Sequence, residues 1–223
     1  MDYWPAIAAD RLALADLLGG LSDEQWQAAT PCEAWTVAQV AAHVLAMAVD
    51  SKWTMTREYL RTGLDLDQVS QHQIERMLSR RAPAKLPEAL RRESGTRNTP
   101  PGLKPWGILA ELVTHTVDVA CALNRPAAIP AEHLDETLAY LARRVRGNTR
   151  FNLVGGRRHP VLRGQAISEG LHLVSTDSAW SAGEGPRVEG SAADLLMVLA
   201  GRGTGLDGLS GDGVPEVRAR LAT

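Results

Sequence analysis

Apolar residues in the first half of the chain recur at intervals of three and four, the spacing of amphipathic helices. The pattern extends from Tyr3 to about Leu123. It predicts long helices over residues 5–18, 37–59, 66–80 and 106–123. A short helix beginning near Ser22 and a further segment over residues 83–92 are also expected. Four long helices joined by loops are typical of a four-helix bundle.

The pattern changes in the second half of the chain. A helix is predicted over residues 133–145, and short β-like runs follow, separated by Gly, Asp and Ser, at 150–154, 161–167, 171–176 and 187–189. Another helix is expected to begin after Ser191, and Pro215 begins a terminal one. This half therefore reads as an α+β domain. The boundary is expected between Pro126 and Gly147, which assigns residues 1–130 to the helical domain and 131–223 to the α+β domain.

Capping residues mark the beginning of several of these helices. Ser22 with Gln25, and Ser191 with Asp194, have the spacing of a capping box. Thr36 is placed to cap the helix that follows it. These positions support the predicted helix starts independently of the apolar pattern.

Composition and charge exclude some classes of function. Lys and Arg number 24 against 26 Asp and Glu, and no dense basic run is interleaved with aromatic residues, so nucleic-acid binding is not expected. The N-terminal segment has no positively charged region, and no stretch approaches the roughly 18 apolar residues of a membrane span. We therefore expect a cytoplasmic protein without membrane attachment. Cys32 and Cys121 lack the paired spacing of a thiolate zinc site or a redox motif.

The candidate chemistry lies on two of the predicted helices. His43 falls within an apolar stripe, where an imidazole needs a hydrogen-bond partner or a metal. Glu111 and His115 are four residues apart and share a helix face, with Asp118 one turn further along. If His43 approaches this pair from a neighbouring helix, three protein ligands leave open the position that a catalytic zinc keeps for water or substrate.

Other interpretations of these residues remain open at this stage. His43 alone is also consistent with an ordinary core histidine, and the stripe on the last long helix with a solvent-facing surface. Asp118 either orients a metal-bound histidine or faces solvent. The two cysteines are interpreted as small buried hydrophobic residues rather than nucleophiles.

Several motifs resemble the mycothiol-dependent maleylpyruvate isomerase family, part of the wider DinB-like group of metal-binding four-helix bundles. Residues 30–37 (TPCEAWTV) and 40–43 (VAAH) resemble its N-terminal motif, and residues 111–118 (ELVTHTVD) the second half of its metal site. Residues 170–177 (GLHLVSTD) and 195–202 (LLMVLAGR) resemble its sterol-carrier-like C-terminal domain. Ala34 departs from the glycine usual in the family. The middle segment, residues 53–104, matches no motif, which leaves the substrate open.

The resemblance implies an enzyme with zinc on His43, Glu111 and His115 and with mycothiol, a low-molecular-weight thiol, as cosubstrate. The thiolate would add to the double bond of a maleylpyruvate-like substrate, allow rotation and leave again, or would stay attached to an electrophile in S-transfer. Arg202 matches the family position whose arginine serves activity, and we expect it to approach the metal in an active site between the domains. The rival interpretation is a metal- or small-ligand-binding protein without turnover. The oligomeric state is not predicted.

Overall fold

The computed structural model describes residues 2–32, 35–142 and 160–222, with residues 160–162 described by their backbone alone. The chain forms two compact units, Met1–Ile129 and Pro130–Thr223. The predicted fold class is confirmed, because helices build the first unit and helices with a small sheet build the second. Independent folding of the two domains stays a prediction.

The described part of the first unit is helical. Its helices are α1 (Tyr3–Leu17), α2 (Asp23–Gln27), α3 (Val37–Val49), α4 (Lys52–Arg61), α5 (Leu66–Arg80), α6 (Leu86–Arg92) and α7 (Pro105–Leu123). A 3-10 turn over Pro83–Lys85 leads into α6. The predicted limits of α5 are confirmed, and those of α1 and α7 differ by one or two residues.

The capping signals at Ser22 and Thr36 form reciprocal hydrogen bonds, whereas at Ser191 the hydroxyl caps the Asp194 amide and donates to the Asp194 carboxylate, so the capping box predicted there is incomplete. The Gln25 amide N–H donates to Ser22 Oγ at 3.3 Å, and the Ser22 amide N–H donates to the Gln25 side chain at 3.0 Å. Thr36 and Gln39 make the same reciprocal pair at the start of α3. These bonds satisfy amides that the first turn of a helix leaves without an intrahelical partner, and they fix where α3 begins.

The prediction of a single helix over residues 37–59 is wrong, because the helix is interrupted between α3 and α4. Asp50 and Ser51 are extended, and Ser51 caps α4 by accepting a 3.1 Å bond from the Thr54 amide. The buried Asp50 carboxylate accepts from the side chains of Gln73, at 3.0 Å, and Arg76. These long-range bonds hold Asp50 out of the helical conformation that its local sequence permits.

α3 and α7 form the centre of the first unit. Every residue of α3 except Gln39 and Val49 is buried, and every residue of α7 from Gly107 to Ala120 except Glu111. α3 packs against α5, α6 and α7, and α1 packs against α6 and α7. Side chains on the facing sides of α3 and α7 therefore meet in the interior.

α7 meets the length and composition criteria of a membrane span, contrary to our expectation from the sequence. Its mean hydropathy reaches 1.3 although Glu111 and Asp118 interrupt the apolar run. The protein buries 72% of this window, as is usual for the core helix of a folded domain.

The second unit combines helices with a three-stranded sheet. Its elements are α8 (Ala131–Leu141), α9 (Pro160–Ser168), β1 (His172–Ser175), β2 (Ser181–Ala182), β3 (Arg187–Gly190), α10 (Ala192–Leu199) and α11 (Val214–Leu221). The strand order is β2-β1-β3, with β1 antiparallel to β2 and parallel to β3. The runs predicted at 171–176 and 187–189 are confirmed as strands, whereas β2 was not predicted.

The strand predicted over residues 161–167 is wrong, because this segment lies in helix α9. α9 packs against α8 and α10, and Gly164 makes that approach close. A Cβ on Gly164 would lie 2.5 Å from the Leu141 carbonyl oxygen and 3.2 Å from that of Leu199. Tertiary packing thus overrides the local β-like pattern. The run predicted at 150–154 lies outside the described residues.

Candidate metal centre

His43 projects from α3 into the interior of the first unit. Its side chain is buried among the apolar residues of the helix, and only 7% of the residue is exposed. Its Nδ1 atom is buried and has no hydrogen-bond partner among the described residues. A buried imidazole nitrogen without a partner is costly, so His43 has bonding capacity that a ligand can use.

Glu111, His115 and Asp118 share one face of α7, and this face points inward. His115 is 4% exposed and Asp118 is completely buried, whereas the Glu111 side chain keeps 27% of its surface. The structure therefore rules out a solvent-facing stripe for His115 and Asp118. Glu111 lies where the cluster meets the surface.

The side chains of His43, Glu111 and His115 converge. Each offers a ligand atom, and these atoms lie within 4.8 Å of one another. His115 Nε2 lies 3.6 Å from Glu111 Oε2, and the two imidazole rings are 5.2 Å apart between centroids at an angle of 79°. Two imidazoles and one carboxylate in this arrangement can reach a single ion with modest side-chain adjustment, as in catalytic zinc sites with three protein ligands.

The pKa values of the two histidines are shifted in opposite directions. Burial, and secondarily the neighbouring His115, lower the pKa of His43 to about 3, while Glu111 acts weakly against this. Burial also lowers the pKa of His115, but its bonds to Asp118 and Glu111 outweigh burial and leave that pKa raised. His43 is therefore neutral near pH 7 with a lone pair available, as a metal ligand must be.

The charge of the cluster fits a divalent cation. Glu111 and Asp118 flank His115 on opposite ring nitrogens, and His115 Nδ1 lies 3.0 Å from Asp118 Oδ2. The raised pKa of His115 means that the two carboxylates favour positive charge between them. Nitrogen and oxygen donors in this number suit zinc.

Trp35 covers both histidines, a contact that the sequence analysis did not identify. Its ring centroid lies 5.0 Å from that of His43 and 5.7 Å from that of His115. The Thr30 amide and hydroxyl both donate to the Trp35 carbonyl, at 3.0 and 2.9 Å, and these bonds hold the backbone of Trp35. Ala34, where the sequence departs from the family pattern, lies outside the described residues.

The cysteines differ from the expected buried packing residues. Cys121 is exposed, and Cys32 is half-buried. Cys32 offers a sulfur within 4.8 Å of ligand atoms of His115 and Asp118, so a second group of potential donors shares His115 with the first. The sequence separation of these residues gave no signal of this proximity.

Tyr59 also lies within electrostatic reach of the cluster. Burial and then the charge of Glu111 raise the pKa of its phenol. Tyr59 lies on α4, in the middle segment where the sequence showed no motif. This places one polar side chain of that segment near the exposed edge of the site.

Arg202 lies in the second unit, immediately before a 3-10 helix over Gly203–Gly208. It is half-buried, and its Nη1 donates a 2.6 Å hydrogen bond to the carbonyl of Ala200, just beyond the end of α10. This bond agrees with the role of a helix C-terminal cation. Whether Arg202 also binds substrate is a separate prediction.

The comparison with protein families decides the affiliation. Residues 7–120, just over half of the chain, match the model of the mycothiol maleylpyruvate isomerase N-terminal domain. The chain belongs to this family. The matched region contains His43, Glu111 and His115.

Solved structures of a family member share the fold. A crystal structure of mycothiol-dependent maleylpyruvate isomerase is 18% identical, covers 95% of this chain and 92% of that one, and superposes with a TM-score of 0.58. A mutant of that enzyme with one histidine replaced by alanine gives the same values. No curated protein sequence matched significantly.

Proposed function

We propose that this protein is a zinc-dependent enzyme that uses mycothiol to isomerise a maleylpyruvate-like unsaturated acid. The observation that carries the proposal is the convergence of His43, Glu111 and His115 within 4.8 Å. Membership of the mycothiol maleylpyruvate isomerase family supports the thiol and the substrate class.

Each of the three residues would provide one ligand atom to the ion. His43 and His115 contribute imidazole nitrogens from two helices, and Glu111 contributes a carboxylate oxygen. Zinc held by these three side chains would supply a Lewis acid that lowers the pKa of a bound thiol. The partly exposed Glu111 side chain marks the side from which a thiol and substrate can enter.

Both histidines of the cluster are buried. Trp35 packs against both imidazoles, with ring centroids 5.0 and 5.7 Å away. A low local dielectric strengthens electrostatic interactions with the reacting groups. We propose that Tyr59, whose phenol has its pKa raised by burial and by the charge of Glu111, contacts substrate near Glu111.

The reaction that we propose is neutral in redox terms. The mycothiol thiolate adds to the conjugated double bond, which becomes a single bond and rotates. Elimination restores the double bond in the other geometry and returns the thiol. Arg202 is proposed to pair with a substrate carboxylate through its two-pronged guanidinium. We assign the reaction to the cytoplasm, where mycothiol would be kept reduced.

Two alternative functions use the same site. In S-transfer, the activated thiol stays attached to an electrophile. In a binding protein, the same three residues hold the ion but no reaction follows. Elemental analysis of the purified protein, followed by assays with a cis-unsaturated keto acid and with a thiol-reactive electrophile, separates these functions. We expect stoichiometric zinc and isomerisation that needs both zinc and thiol. A thioether product without isomerisation would assign S-transfer, and zinc without either reaction would assign a binding protein.

A further inference from the structure

Asp118 is a completely buried carboxylate directed at a proposed metal ligand. It lies on α7 three residues after His115, and its Oδ2 atom is 3.0 Å from His115 Nδ1. Burying an ionised carboxylate is expensive unless hydrogen bonds or a charge compensate. The 3.0 Å contact with His115 is an interaction that compensates this burial, and it couples the carboxylate to the ring.

The two ring nitrogens of His115 face different carboxylates. Nδ1 faces Asp118, and Nε2 lies 3.6 Å from Oε2 of Glu111, which belongs with His43 and His115 to the group of potential ligands. When Nδ1 carries a proton and donates it to Asp118, the lone pair of the neutral ring is on Nε2. This is the tautomer that an ion between His43, Glu111 and His115 requires.

We propose that Asp118 is a positioning residue that fixes the tautomer and orientation of His115 so that Nε2 binds the metal. The inference rests on the proposed function, since it concerns the same ion. Asp118 also increases electron density on the ring, which strengthens the bond from Nε2. Asp118 itself stays outside the coordination of the ion.

A different arrangement makes a contrasting prediction. Cys32, His115 and Asp118 also offer donors within 4.8 Å of one another. If an ion bound there, Asp118 would be a direct ligand, Nδ1 would carry the metal in place of a proton, and Cys32 would contribute a thiolate. The ring nitrogen that binds metal therefore distinguishes the two arrangements.

The test measures cobalt(II) binding to the full-length protein and to two variants by chelator competition and visible absorption. Asp118→Asn keeps the shape of the side chain but removes its charge, and we expect binding about 10–100-fold weaker. Thr116→Val is the matched control, because Thr116 is buried on the same helix. Its hydroxyl donates a 2.8 Å hydrogen bond to the Leu112 carbonyl, one turn earlier in α7. This control should bind cobalt as the wild type does.

The outcomes separate this inference from the proposed function. Failure of the wild type to bind cobalt would contradict the metal site itself. Equal affinity in the wild type and Asp118→Asn would overturn the positioning role and leave the metal site standing. A merely structural role would lower the melting temperature of the metal-free variant without changing its affinity for cobalt.

A measurement on the wild type keeps the inference testable if Asp118→Asn does not fold. Nitrogen-15 NMR of the zinc-loaded protein should show a proton on Nδ1 of His115 and the metal on Nε2. Metal on Nδ1, with a thiolate absorption band in the cobalt protein that Cys32→Ser removes, would overturn the proposal in favour of the other arrangement.

Discussion

The indole of Trp35 packs against the imidazole of His43, with 5.0 Å between ring centroids. The same indole reaches His115. A fluorophore in contact with two proposed ligands makes an internal reporter of the ion. Hydrogen bonds from the Thr30 amide to the Trp35 carbonyl and from the Trp35 amide to the Cys32 carbonyl hold the backbone of this reporter.

Trp35→Phe should remove most of the fluorescence change that accompanies cobalt binding. Cobalt quenches a nearby indole efficiently, and Trp35 is in contact with both imidazoles. The matched control is Trp53→Phe, because Trp53 is 76% exposed on α4 and should contribute little to the change. Titration of each variant with cobalt, followed by emission, checks this. Full quenching in Trp35→Phe would contradict the placement of the ion.

His43→Ala should weaken zinc binding strongly, because it removes one of the three proposed ligands. Loss of a residue that only hydrogen-bonds to a ligand typically weakens binding by roughly 10–100-fold, and we expect a larger effect here. The fold should persist, since the apolar core of α3 remains. His133→Ala is the control, because His133 is a buried histidine of the second unit. Zinc content by elemental analysis and helicity by circular dichroism measure the two effects. In a zinc-soaked crystal of the wild type, the three ligand atoms should lie about 2.0–2.2 Å from the metal.

Metal affinity should rise with pH until His115 is neutral. The pKa of His115 is raised, so a proton competes with zinc for this ring at pH values near and above the ordinary pKa of a histidine. His43 has a pKa of about 3 and adds no competing proton above pH 4 or so. The expected slope is one proton, or about tenfold in affinity per pH unit, with a plateau above the pKa of His115. Chelator competition from pH 6 to 9 gives the slope, and a slope of two protons would contradict the neutral His43.

Arg202→Lys should lower kcat/KM by about tenfold or more while leaving zinc content unchanged. An ammonium cannot reproduce the planar two-pronged contact of a guanidinium with a carboxylate. Steady-state kinetics with thiol and a cis-unsaturated keto acid measure the effect, and Arg218→Lys on α11 serves as a control arginine from the same unit. Full activity in Arg202→Ala would end the proposed role.

A fragment that ends at Asn148 should fold and bind zinc without the rest of the chain. It contains the whole compact unit Met1–Ile129 and all three proposed ligands. Circular dichroism and elemental analysis of the fragment test this. An unfolded fragment would show that the second unit is needed for stability.

Features set by neighbours along the chain could be predicted from the sequence. The limits of α5 and the capping box at Ser22 depend on residues within one or two helical turns. The shared face of Glu111 and His115 follows in the same way from their spacing.

Features set by distant residues could not be predicted. The break at Asp50 depends on bonds from Gln73 and Arg76, more than twenty residues away. The helical conformation of α9 depends on close packing at Gly164. At the site, Trp35 and Cys32 lie near His115 although some 80 residues separate them from it along the chain, so no periodic pattern reveals the contact.

The interruption between α3 and α4 separates the helix that carries His43 from the helix that carries Tyr59. A continuous helix would transmit any rotation near Tyr59 directly to His43. α4 starts at Ser51 and packs on α5, whereas α3 packs on both α5 and α7. Under the proposed function, substitutions along α4 would therefore change the surroundings of Tyr59, and with them substrate preference, while His43 keeps its position on α3.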